Sequence, residues 1–77
     1  MTIEFDYTLR RGRKEYELFV TADCELGPDD IGVSLESVVL EADREAECLQ
    51  ALAPDEKELI MVKASRLAVY ESIEMWR

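Results

Sequence analysis

Residues 33–52 read VSLESVVLEADREAECLQAL, and whether they are extended or helical decides the architecture of the whole chain. Taken as a strand, the run sends Val38, Leu40 and Ala42 to one side and Val39 and Glu41 to the other. Taken as a helix, it places Leu35, Val38, Val39, Ala42, Ala46, Leu49 and Leu52 at i, i+3, i+4 and i+7 spacing, with Ser34 available as a cap. The β-branched pair Val38 and Val39 weighs toward the strand.

The residues upstream weigh the same way. Ile3, Phe5, Tyr7 and Leu9 alternate with Glu4, Asp6 and Thr8, the period of a strand with one buried face. After the polar RRGRK segment (10–14), Tyr16, Leu18, Val20, Ala22 and Cys24 alternate with Glu15, Glu17, Thr21 and Asp23. Two such runs around a glycine make an antiparallel hairpin. A lone hairpin is only marginally stable in water, so a third strand completes the sheet. The LGPDDIG segment (26–32) is rich in turn formers and reads as a loop between strands. EADREAE (41–47) then becomes a polar turn and CLQAL (48–52) a short return segment.

A helix is expected from Ala53 onward. Pro54 suits the first helical position, Asp55 and Glu56 complement the helix dipole, and no Gly or Pro interrupts the run to Trp76. Around this helix Leu59, Val62, Val69, Tyr70, Ile73 and Trp76 form one apolar side, flanked by Ile60, Ala64 and Leu67. Met61, Ala68 and Met75 fall nearly opposite. The expectation is a single α+β domain, with a three-stranded antiparallel sheet and the long C-terminal helix packed on one sheet face. Met61, Ala68 and Met75 are then left for a second copy or a partner protein to cover, and a homodimer is the expected state.

Composition restricts function. Eighteen acidic against nine basic residues give a formal charge of −9, which disfavours direct binding to nucleic acid or to anionic membranes. The longest apolar run, Leu59 to Val62, is far short of a membrane span, and Met1 to Leu9 holds no signal-peptide core; a soluble cytoplasmic protein is expected. There is no histidine, which removes the commonest general base and metal ligand together. Cys24 and Cys48 lack zinc-site spacing and read as reduced, buried or half-buried thiols. Asp29 and Asp30 lie in a turn without calcium-loop spacing, and three scattered glycines build no phosphate cradle. Neither an enzyme nor a bound metal or cofactor is expected.

The charge is also unevenly placed. Residues 15–62 carry fourteen acidic side chains against only Arg44 and Lys57. If the hairpin buries its apolar positions, Glu4, Asp6, Glu15, Glu17, Asp23 and Glu25 share the opposite face, with alternate carboxylates on a strand about 6.8 Å apart. Asp43, Glu45 and Glu47 would add another row if that segment were extended. The basic residues Arg10, Arg11, Arg13 and Lys14 form a solvated hairpin tip. An anionic wall of this kind either keeps sheets apart and the chain soluble, or docks on a basic protein surface in place of a nucleic-acid backbone.

The order of hairpin, turn-rich loop, S-V-x-L strand and L-x-P-x-E helix start resembles that of small acidic proteins encoded by bacteriophages and prophages of proteobacteria. The matching residues are Ser37, Val38 and Leu40, then Leu52, Pro54 and Glu56. Ala53 stands where those proteins have Thr or Ser, so the side-chain cap of the helix is missing. The resemblance implies a non-enzymatic accessory protein in the host cytoplasm that acts by binding, in the style of anti-CRISPR proteins and other host-takeover inhibitors. The other expectation is a structural or morphogenesis subunit that self-associates through its apolar C-terminal helix.

Overall fold

The computed structural model describes residues 1–75, with side chains to residue 71. Strands β1 (Thr2–Arg11), β2 (Lys14–Leu26) and β3 (Ile31–Leu40) form one antiparallel sheet in the order β1-β2-β3. A short 3-10 turn, Leu49–Ala51, leads into helix α1 (Pro54–Met75), which packs across one face of the sheet. The fold is α+β. No helix among the described residues is long and apolar enough to cross a membrane.

The first hairpin turns on two residues, Gly12 and Arg13, between the paired Arg11 and Lys14. Gly12 has φ +60°, a conformation open to glycine at little cost and suited to a two-residue turn between twisted strands. The second connection is tighter than the expected loop over 26–32. Leu26 pairs with Ile31, and the Gly27 N–H donates to the Asp30 carbonyl at 2.8 Å.

The ambiguous stretch is extended as far as Leu40. Its helix-like spacing has a specific cause in the pairing of β3 with β2. Thr21 pairs with Ser37 but Ala22 pairs with Leu35, so Glu36 is an extra residue without a partner. Such a bulge reverses the alternation. Ile31, Val33 and Leu35 turn toward the core before it, and Val38 and Leu40 after it. The i, i+3 step from Leu35 to Val38 therefore imitates one helical turn while both residues remain in a strand.

The core lies between sheet and helix. Ile3, Phe5 and Leu9 from β1, Leu18, Val20, Ala22 and Cys24 from β2, and Val38 from β3 meet Leu52, Ile60, Ala64 and Ala68. Burial pushes the Cys24 thiol above its ordinary pKa, which keeps it protonated and unreactive.

The helix is rotated relative to the expectation. Ile60, Ala64 and Ala68 are fully covered by the sheet, with Leu67 half-buried beside them. The side expected to pack inward faces water: Leu59 is 60% exposed, Val62 42%, Val69 42% and Tyr70 70%. The proposed interface changes accordingly. Ala68 is enclosed by its own chain and can meet no second copy, and Met61 is half-buried beside Ile31 and Val33. The side chain of Met75, like Trp76, lies outside the described residues.

Two physical terms set this rotation. Bulky residues on the sheet leave room for alanine at the closest approach, because interiors are filled to near-crystalline density. Polar anchors also hold the β1 side of the helix. The Arg11 guanidinium donates from Nε to Glu56 Oε2 at 2.9 Å and from Nη2 to Glu56 Oε1 at 2.7 Å and the Ala51 carbonyl at 2.8 Å. Further along, Lys63 Nζ donates to the Asp6 carbonyl at 2.9 Å. Arg11 thus belongs to a helix anchor and not to a solvated tip.

Glu56 also repairs the missing cap. Its Oε1 accepts from the Ala53 N–H at 2.8 Å, the reverse half of a capping box. The Arg11 hydrogen bond, followed by the Ala53 N–H, lowers the Glu56 pKa to about 2. A depressed carboxylate stabilises the fold above its ordinary value of 4.5, and that contribution is lost as the pH falls through about 2. Urea midpoints of the wild type should therefore fall across this window. Glu56→Gln should show a flatter acid limb and a lower midpoint at neutral pH, and parallel curves for the two proteins would remove the anchor from the stability account.

Candidate protein-binding face

The sheet face opposite α1 is where the expected carboxylates collect. Alternation and register place Glu4 and Asp6 of β1 and Glu15, Glu17, Asp23 and Glu25 of β2 on that one face. All but the half-buried Asp23 are exposed. No carboxylate in the set stands directly opposite another. Glu4 pairs with Thr21, Asp6 with Phe19, Glu17 with Thr8, Glu15 with Arg10, Asp23 with Thr2 and Ser34, and Glu25 with Gly32. Cross-strand repulsion is therefore mostly diagonal, at the longer of the two neighbour distances.

For these six carboxylates, the ion pairs among the described residues lie at the two ends of the face. Arg10 Nε stands 3.3 Å from Glu15 Oε1 near the hairpin tip, and the amino terminus 3.6 Å from Asp23 Oδ1 at the other end. Both pairs are solvent-exposed enough to contribute little to stability. Between them, Thr8 Oγ1 lies 3.1 Å from each oxygen of Glu17, a contact that orients the carboxylate without neutralising it.

The residue after β3 adds a further carboxylate, Glu41, on the side to which strand alternation assigns it with Val39. The Glu41 N–H donates to the Glu17 carbonyl at 2.9 Å, which carries residue 41 past the end of β3 and over the acidic face. A hydrogen bond with Asp6 raises the Glu41 pKa, with partial desolvation and the Asp6 charge adding to it. Arg44 opposes the shift and stands 3.6 Å from Glu41. The sign is opposite to that of Glu56. The Asp6–Glu41 contact supports the fold below the ordinary carboxylate range and is lost as the pH rises through the raised value.

An apolar spot interrupts the face. Phe19 points outward among the acids, the Arg44 guanidinium lies 4.2 Å from its ring centroid, and Val39 opposite it is nearly buried. The signal was present in the sequence: Phe19 occupies a polar-side position of an alternating strand. Arg44 was not legible, because its placement depends on how residues 41–47 fold back.

That fold-back also disposes of the third acidic row. Asp43, Glu45 and Glu47 are not extended side by side. Asp43 Oδ1 accepts from the Glu45 N–H at 3.1 Å. Glu47 Oε1 turns into its own chain, accepting from the Val38 and Leu49 N–H groups at 3.1 Å each. With the Cys48 N–H donating to the Val38 carbonyl at 2.6 Å, this segment covers the β3 edge and shields it from edge-to-edge pairing.

Among the described residues no cluster of His, Cys, Asp and Glu has the arrangement of a metal site. A cavity of about 220 Å³ opens near the hairpin end of the core, lined by Leu9, Tyr16, Leu18, Leu40 and Leu52 with Arg11 and Cys48 at its side. No family model, curated protein or solved structure matches the chain.

Proposed function

We propose that the chain is a non-enzymatic protein-binding module whose acidic sheet face docks on a basic protein surface, of the kind that holds a nucleic-acid backbone. The supporting observation is the segregation of Glu4, Asp6, Glu15, Glu17, Asp23 and Glu25, joined by Glu41, on the one sheet face that the helix leaves open. Charge kept together at a cost in self-repulsion gives on-rate and partner selectivity through complementary fields. Phe19 under Arg44 supplies an apolar centre to such an interface, matching the usual anatomy of an apolar core within a polar rim. With the resemblance to phage and prophage accessory proteins, the proposed target is a nucleic-acid-binding protein of the host.

The test combines a variant with a competitor. Glu4→Gln, Asp6→Asn, Glu17→Gln and Glu41→Gln together should weaken the captured partner by roughly 10–1,000-fold, mainly through the association rate. Excess duplex DNA or raised salt should displace the same partner from the wild type. Thermal melting of the variant should shift upward at neutral pH, since like charges have been removed. A partner held equally well by the variant, or indifferent to DNA, removes the nucleic-acid-site reading.

A second reading, a structural or morphogenesis subunit, is favoured by the exposed Leu59, Val62 and Tyr70. It predicts a partner that survives neutralisation of the acidic face and is lost on Leu59→Lys.

A further inference from the structure

The helix face turned away from the sheet carries a pattern of its own. Asp55, Leu59, Val62 and Arg66 follow one another at steps of four, three and four, which is a heptad seam. Leu59 and Val62 are large apolar side chains in water at the middle of that seam, with a carboxylate at one end and a guanidinium at the other, all exposed. A solvated helix face needs no such order.

We propose that this seam pairs with the same seam of a second copy, the two α1 helices running antiparallel. In that register Leu59 lies against Val62 of the second copy and Val62 against its Leu59. Asp55 then meets Arg66 of the second copy, and Arg66 its Asp55. The surface is thus complementary to itself under a twofold axis, as a closed dimer requires. A parallel arrangement would set Asp55 on Asp55 and Arg66 on Arg66. Charge also favours this face for self-association: two chains of formal charge −9 repel, but along the seam the Asp55 carboxylate is matched by the Arg66 guanidinium.

The assembly has a functional consequence, which rests on the acidic-face reading above. Each helix lies between its own sheet and the other helix, so the layer order is sheet, helix, helix, sheet. The two acidic faces are outermost and point in opposite directions. One dimer can then engage two basic surfaces at once, and linked binding of this kind raises avidity without any new contact.

The test is sedimentation or light scattering of the full chain from micromolar to millimolar concentration. The expected result is a reversible rise from the 8.9 kDa chain mass toward twice that value. Leu59→Lys with Val62→Lys should abolish the rise while circular dichroism stays that of the wild type. Asp55→Arg alone and Arg66→Asp alone should each weaken association by about tenfold or more, and the two changes in one chain should restore it. A mass of one chain up to millimolar concentration overturns the proposal. Dimers that persist with lysine at 59 and 62 overturn the seam, and failure of the charge swap to restore pairing overturns the antiparallel register. None of these outcomes touches the acidic face, whose own test is capture of a partner.

Discussion

Ala64→Asp should destabilise the chain by roughly 3–5 kcal/mol, and Leu59→Asp should leave its stability almost unchanged. Ala64 is fully covered at the closest approach of α1 to the sheet, among Cys24, Ile60 and Ala68. A carboxylate there has no cationic partner among the described core residues, which are all apolar. An uncompensated buried charge costs roughly 3–5 kcal/mol. A chain of this length has about 4–12 kcal/mol in total, so one substitution removes much or all of it. Leu59 lies on the exposed side, where substitutions usually shift stability by within about 0.5 kcal/mol. Circular dichroism and urea melts of the two variants read the rotation of the helix directly. If Leu59→Asp unfolds the chain and Ala64→Asp does not, the helix packs by its strongest apolar stripe and the rotation described above is wrong.

Deleting Glu36 should leave the chain folded, whereas deleting Thr21 from the paired strand should not. Glu36 is exposed and unpaired. Without it Ile31, Val33, Leu35, Val38 and Leu40 alternate strictly with Gly32, Ser34, Ser37 and Val39, and all five keep the core face with no bulge. Thr21 pairs with Glu4 on one side and Ser37 on the other. Its removal reverses the phase of the rest of β2, so the fully enclosed Ala22 and Cys24 turn to water and Asp23 turns into the core. An uncompensated buried charge costs roughly 3–5 kcal/mol, and the expected loss is at least that, with cooperative unfolding weakened or absent. Urea melts of the two deletions read the phase of each strand. A Glu36 deletion that unfolds the chain would mean that the residue does more than carry the bulge.

Both outcomes concern places where sequence pattern and structure diverge. The two strands of the first hairpin were legible because Ile3 to Leu9 alternate throughout and Tyr16 to Cys24 do so apart from Phe19, and a sheet with one buried face imposes that period. From the same alternation the common face of Glu4, Asp6, Glu15, Glu17, Asp23 and Glu25 followed at once. β3 was ambiguous because the bulge at Glu36 breaks the period where it was being read. The anchor between Arg11 and Glu56 was invisible, since it joins residues 45 positions apart in the chain. So was the arrival of Arg44 over the acidic face, which depends on the path of a segment with no regular structure; Glu41, by contrast, lies on the side of Val39, where alternation sends it.

Local order along the chain thus determined the hairpin, the start of the helix at Pro54 and the separation of acids from apolar residues across the sheet. These follow from backbone geometry and the period of side chains, which act between near neighbours. The rotation of the helix, and with it the choice between a buried and an exposed set of apolar residues, was decided only in three dimensions. Helical periodicity says which side chains share a face, but several faces of α1 are apolar enough to be buried. Volume against Phe5, Leu18, Val20 and Val38, together with the two cationic anchors from Arg11 and Lys63, selects the stripe of Ile60, Ala64 and Ala68. Those terms exist only once sheet and helix have met.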